Sequence, residues 1–100
     1  MLTAADFDKL GFWADTTPEE NITVYGMDFA TEYIMLTNDL GATPVDEKKF
    51  IVVAAYDDAG CFLWGVELKN FAALKKLCAQ YPAESAELLQ ALKEYKLPKK

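Results

Sequence analysis

Residues 50 to 68 read Phe50-Ile-Val-Val-Ala-Ala-Tyr56, then Asp57-Asp-Ala-Gly60, then Cys61-Phe-Leu-Trp-Gly-Val-Glu-Leu68. Two runs rich in β-branched and aromatic residues flank four residues suited to a chain reversal. Asp stands at the first position of a type I turn and Gly where a positive φ is needed. The spacing predicts a hairpin with a bulge at its turn, in which Asp57 lies opposite Cys61. Regular alternation from that turn pairs Tyr56 with Phe62, Ala54 with Trp64, Val52 with Val66 and Phe50 with Leu68 on one face. Ile51, Val53, Ala55, Leu63 and Gly65 then fall on the other, a face of smaller residues. Both faces are apolar, so the hairpin belongs at the centre of a sheet, or one of its faces meets a partner.

Working outward, Tyr33-Ile-Met-Leu-Thr37 runs into Asn38-Asp-Leu-Gly41, a weaker copy of the same turn. Phe29, Tyr33 and Leu36 also fit a helical stripe behind Asp28, but the β-rich composition favours a strand over residues 32–37. Ile22 to Met27 supplies another strand, and residues 42–49, with Pro44, form a connection. Near the N-terminus, Thr3 and Asp6 have the spacing of a capping box and Gly11 is a stop signal, which predicts a helix over residues 4–10 with Phe7 and Leu10 on its apolar side. Thr17 and Pro18 then mark a single turn ending at Glu20. On the other side of the hairpin, Asn70 caps a helix carrying Phe71, Leu74, Leu77, Cys78 and Tyr81. Pro82 opens a second helix with the stripe Leu88, Leu89, Leu92 and Tyr95, and Pro98-Lys-Lys100 is expected to fray. The expected architecture is a single α+β domain over residues 1–100: a short N-terminal helix, an antiparallel sheet of four to five strands, and a C-terminal helical hairpin packed on one face, with the aromatic face of the sheet as its natural place.

Composition excludes several classes of function. The chain has no His, and all ten basic residues are Lys. The commonest general base and metal ligand are therefore missing, as is the bidentate fork that Arg offers to phosphate or guanine. With a formal net charge of −6, direct nucleic-acid binding is not expected. Cys61 and Cys78 lack the spacing of a zinc site and read as two small buried hydrophobes of a reducing compartment. Asp57 and Asp58 are explained by their turn without a cation. No cofactor and no enzymatic activity are expected. The N-terminus has no signal-peptide pattern, and the longest apolar run, Phe50 to Tyr56, is far short of the ~20 residues of a membrane span. A cytoplasmic protein without a membrane contact is the expectation.

Charge is unevenly distributed. Residues 1–47 hold ten carboxylates and one Lys, a balance of −9, whereas residues 48–100 hold six carboxylates and nine Lys, a balance of +3. Such a field steers a basic partner. The expected function is that of a small acidic protein-binding protein, an inhibitor or immunity-type antagonist covering a basic surface of its target. A narrower version is nucleic-acid mimicry of the anti-CRISPR or anti-restriction type. Phe12 and Trp13 would serve as apolar anchors, with Asp15, Glu19, Glu20, Asp28, Glu32, Asp46 and Glu47 as the charged contacts. The alternative is a sensory or assembly module that forms a homodimer, or takes a small ligand, through the smaller-residue face of the hairpin.

Overall fold

The computed structural model describes residues 1–97, so the expected fraying of Pro98-Lys-Lys100 lies outside the described residues. In chain order the elements are α1 (Ala4–Asp8), β1 (Trp13–Thr17), β2 (Ile22–Asp28), β3 (Tyr33–Thr37), β4 (Ile51–Tyr56), β5 (Phe62–Leu68), α2 (Phe71–Gln80) and α3 (Ala86–Lys93). The five strands form one antiparallel meander in the order β1-β2-β3-β4-β5. The α+β class, the short N-terminal helix and the two C-terminal helices are as the sequence predicts.

The central hairpin forms where expected, and its turn is held by Asp57. The Asp57 carboxylate accepts from the backbone N–H groups of Ala59 and Cys61, both at 2.9 Å, and Gly60 takes φ 82°. The copy upstream is built the same way. Asn38 Oδ1 accepts from Leu40 N–H at 2.8 Å and Ala42 N–H at 2.9 Å, and Gly41 takes φ 75°. It reverses the chain without an immediate return strand, because the connection through Pro44 runs on to Ile51 before β4 pairs with β3.

The register of the hairpin departs from regular alternation. Tyr56 faces Phe62, but the next pair is Ala55 with Trp64, followed by Val53 with Val66 and Ile51 with Leu68. Leu63 is the extra residue of a β-bulge, and it swaps the face of everything after it. The cause is Glu67. Without the bulge, Glu67 would share a face with Ile51 and Val53, which are fully buried, and a buried unpaired carboxylate is prohibitively costly. With it, Leu68 and Val66 turn inward and Glu67 pairs with Val52 on the outer side.

The inward face of the sheet carries Tyr25 and Met27, Ile34 and Leu36, Ile51, Val53 and Ala55, then Val66 and Leu68. Leu74 of α2 and Leu88 and Leu92 of α3 close the core over it. Phe7 of α1 stacks on Tyr25 with centroids 4.0 Å apart and meets Phe12 and Phe71 edge-on at 6.4 and 5.3 Å. Asn70 caps α2 through Ala73 N–H, as expected. The start of α3 differs from expectation. Pro82 to Ser85 form a turn, and the Ser85 hydroxyl caps Leu88 N–H at 3.1 Å. Glu84 takes φ 64°, which no helix can accommodate, so the helix begins at Ala86. Residues 13–17, to which the sequence assigns no element, form the edge strand β1, and only Pro18 to Asn21 turn.

Candidate functional site

The helices cover one side of the sheet only. The other side is built by the alternate residues of each strand and lies open, with its side chains in cross-strand rows. One row joins Asp28, Tyr33, Tyr56 and Phe62, each directly opposite the next. A second joins Trp13, Gly26, Met35, Ala54 and Gly65. Beyond it stand Asp15 opposite Val24, and Thr37, Val52 and Glu67 in register. The face is thus apolar in its middle, with an aromatic row toward the β4–β5 turn and carboxylates at its margins.

Its relief follows from two glycines. A Cβ on Gly26 would lie 2.2 Å from the Trp13 ring, so the indole rests directly on the backbone of β2. At Gly65 a Cβ would come within 3.4 Å of Phe62 Cζ, so the Phe62 ring leans over β5. Phe62 remains 62% exposed and Leu63 46%, which leaves an uncovered aromatic and aliphatic corner at one end of the face. Exposed apolar groups that lie side by side, rather than scattered singly, are the ones that mark contact surfaces.

The strands contribute just three charged residues among them, Asp15, Asp28 and Glu67, all on this face and all acidic, and no strand contains Lys. Lys75, Lys76 and Lys93 are on α2 and α3. The open face is therefore purely acidic, whereas the helices carry both signs, with Asp6, Asp8 and Glu87 beside these lysines. Among the described residues, Asp15, Asp28 and Glu67 are not salt-bridged; the ion pair present joins Glu47 to the N-terminal ammonium at 3.4 Å.

The residues singled out from the sequence do not form one patch. Trp13, Asp15 and Asp28 share the open face. Glu19 and Glu20 lie in the β1–β2 turn, and Asp46 and Glu47 in the β3–β4 connection, at the same end of the sheet. Successive loops of a meander alternate between ends, so Asp57 and Asp58 fall at the opposite end. Phe12 requires correction as an anchor: at 3% exposure it is a core residue against Phe7, out of reach of a partner. Glu32 is already engaged, its carboxylate accepting the Trp64 indole N–H at 2.7 Å across Ala55 on the helix-covered side. The smaller-residue face also requires correction. Ile51, Val53 and Ala55 are fully buried beneath the helices, and of that set Leu63 and Gly65 alone are exposed. Tyr33, Met35, Tyr56 and Phe62 belong to the open face; the helices, expected on the aromatic side of the sheet, pack instead on the side of Ile51, Val53 and Ala55.

Two carboxylates titrate below their ordinary range. Asp6 is held low by the Thr3 backbone N–H, which it accepts at 2.8 Å, and Glu47 by its own backbone N–H and by the N-terminal ammonium. Both shifts run opposite to what a general acid near neutral pH requires. Cys78 is half-buried on α2, and desolvation pushes its thiol up to about 11. Cys61 is exposed at the hairpin turn, contrary to its reading as a buried hydrophobe. Among the described residues no group of three or more Cys, Asp or Glu side chains is disposed to hold a metal ion, and no helix is long and apolar enough to cross a membrane.

No protein family, curated protein or solved structure matches the chain.

Proposed function

We propose that this is a protein-binding protein, of the inhibitor or antagonist type, which docks the open face of its sheet on a partner presenting an apolar surface bordered by basic residues. The observation that carries this reading is the pairing of an uncovered apolar sheet face with strand charges that are all carboxylates. Charge complementarity selects the occupant. A second copy laid face to face would bring Asp15, Asp28 and Glu67 against their own kind, which is repulsive, whereas a basic rim is attracted. Aromatic residues such as Trp13, Tyr33 and Tyr56 are the side chains that dominate interface energetics. Nucleic-acid mimicry has weaker support, since it calls for a continuous track of carboxylates and an apolar field separates these. A cytoplasmic location is part of the same reading, because Cys61 and Cys78 are free thiols.

The test is affinity capture from extract of the source cells at low and high salt. It compares the wild-type chain with Met35→Lys/Val52→Lys on the open face and Lys75→Glu on the helical face, each checked for folding by circular dichroism. The expected result is a basic protein retained at low salt by the wild type and by Lys75→Glu, and lost both at high salt and with the open-face variant. Capture that ignores the open-face substitutions, or no capture at any salt, overturns the proposal.

A further inference from the structure

The aromatic row of the open face has an asymmetry that packing alone leaves unexplained. Tyr33 and Tyr56 are stacked, with centroids 5.5 Å apart and planes at 24°, and Tyr56 meets Phe62 edge-on at 6.0 Å and 74°. Cross-strand stacking of this kind stabilises a sheet, which accounts for the two tyrosines. It occupies one face of the Tyr33 ring. The other face is turned toward β2, where the residue directly opposite is Asp28, exposed and, among the described residues, without a lysine partner. Two residues before Asp28 on the same face is Gly26, under the Trp13 indole. A ring face, a carboxylate and an indole therefore border one small area of the sheet.

A cation is the group that all three attract. The ring quadrupoles draw positive charge to their faces, and the carboxylate accepts charge-assisted hydrogen bonds. An anion would be repelled, and a neutral apolar side chain would leave Asp28 desolvated without compensation. Arginine fits better than lysine, because a planar guanidinium can stack on a ring while its N–H fork donates to a carboxylate. The geometry points to a seat for a single arginine side chain between Asp28 and Tyr33. This inference deepens the proposed docking reading and rests on it for the source of the arginine, which is the basic rim of the partner protein.

The experiment is an NMR titration of the full chain with N-acetyl-arginine methylamide and with the corresponding citrulline compound, which keeps the shape and removes the charge. The expected result is saturable shifts centred on the Tyr33 and Trp13 rings and the Asp28 amide. The citrulline compound should bind roughly three- to fivefold more weakly, as loss of an exposed cation–π contact implies. Asp28→Asn and Tyr33→Leu should each weaken the arginine compound by a similar factor with amide dispersion preserved. Equal shifts from the two compounds, shifts centred on the acidic loops instead, or no saturable shift overturns the seat. The two proposals fail separately. Partner capture that stays dependent on Met35 and Val52 while the arginine compound does not bind removes the seat and leaves the docking face. Binding of the arginine compound with capture indifferent to that face does the reverse.

Discussion

The two sides of this sheet are made by neighbouring residues of the same strands, yet they meet opposite environments. In β3, Ile34 and Leu36 are fully buried beneath the helices, while Tyr33, Met35 and Thr37 between them face outward. The inward side is aliphatic with small gaps, as a packed core requires. The outward side is aromatic, bordered by acid and only half shielded. A sheet needs one buried face to be stable, and the helices supply that cover completely enough for the second face to be free for another use.

The largest expected effect comes from adjacent substitutions in β3. Ile34→Ala opens a cavity in the core and should cost about 2–5 kcal/mol, whereas Met35→Ala, one residue away, should cost less than about 1 kcal/mol. Urea unfolding of the two variants measures the difference. Comparable losses would mean that the open face is covered in solution, and the contrast between the faces would collapse.

A smaller and more local effect is expected at Gly26. A methyl group there would sit 2.2 Å from the Trp13 ring, and the adjacent backbone is fixed in β2, so the indole must move. Gly26→Ala should destabilise by roughly 1–3 kcal/mol and release Trp13 toward solvent. In a Trp64→Phe background, where Trp13 is the remaining tryptophan, the emission should shift to the red. An unchanged spectrum would show that the indole does not lie on β2, and the relief of the open face would need to be redrawn.

The sequence made most of this architecture legible, and the reason it stopped short is specific. Turn chemistry is local: Asp57 to Gly60 and Asn38 to Gly41 carry their hydrogen-bonding side chain and their glycine within four residues, and both turns are correctly read. Caps are local too, as at Asn70. Which face of β5 is buried depends on one extra residue at Leu63, and alternation counted from the turn passes over it. The clue was Glu67, whose charge forbids the parity that regular counting gives it. Phe12 and Trp13 were equal by composition, and tertiary packing sends the first into the core against Phe7 and leaves the second on the sheet. Strand β1 was hidden because Asp15-Thr-Thr-Pro carries turn-forming residues and an edge strand tolerates them. The charge asymmetry was visible as two halves of a chain, but it does not carry over to the two sides of the sheet: of the ten N-terminal carboxylates only Asp15 and Asp28 stand on strands of the open face, and the third acid there, Glu67, comes from the basic half.

The smallest effect concerns the helical side alone. Asp6 closes the N-terminus of α1 by accepting the Thr3 N–H, and α1 delivers Phe7 onto Tyr25 in the core. That hydrogen bond favours the ionised carboxylate and lowers its pKa from the ordinary 3.8. A carboxyl group whose folded pKa is depressed stabilises the fold above its unfolded pKa, and the contribution is lost as pH falls through the folded value. Asp6→Asn should therefore be slightly less stable than the wild type at neutral pH, and the difference should shrink as the pH drops below 3.8. Glu47, also held low, titrates in the same acid region, so the wild-type curve by itself mixes the two; subtracting the variant isolates Asp6. Because Asp6 acts through Phe7 on the inward side, partner capture at neutral pH should be the same for Asp6→Asn as for the wild type. If the variant, still folded, captured less at neutral pH, the two faces would be energetically coupled, and the separation of a structural side from a binding side would not hold.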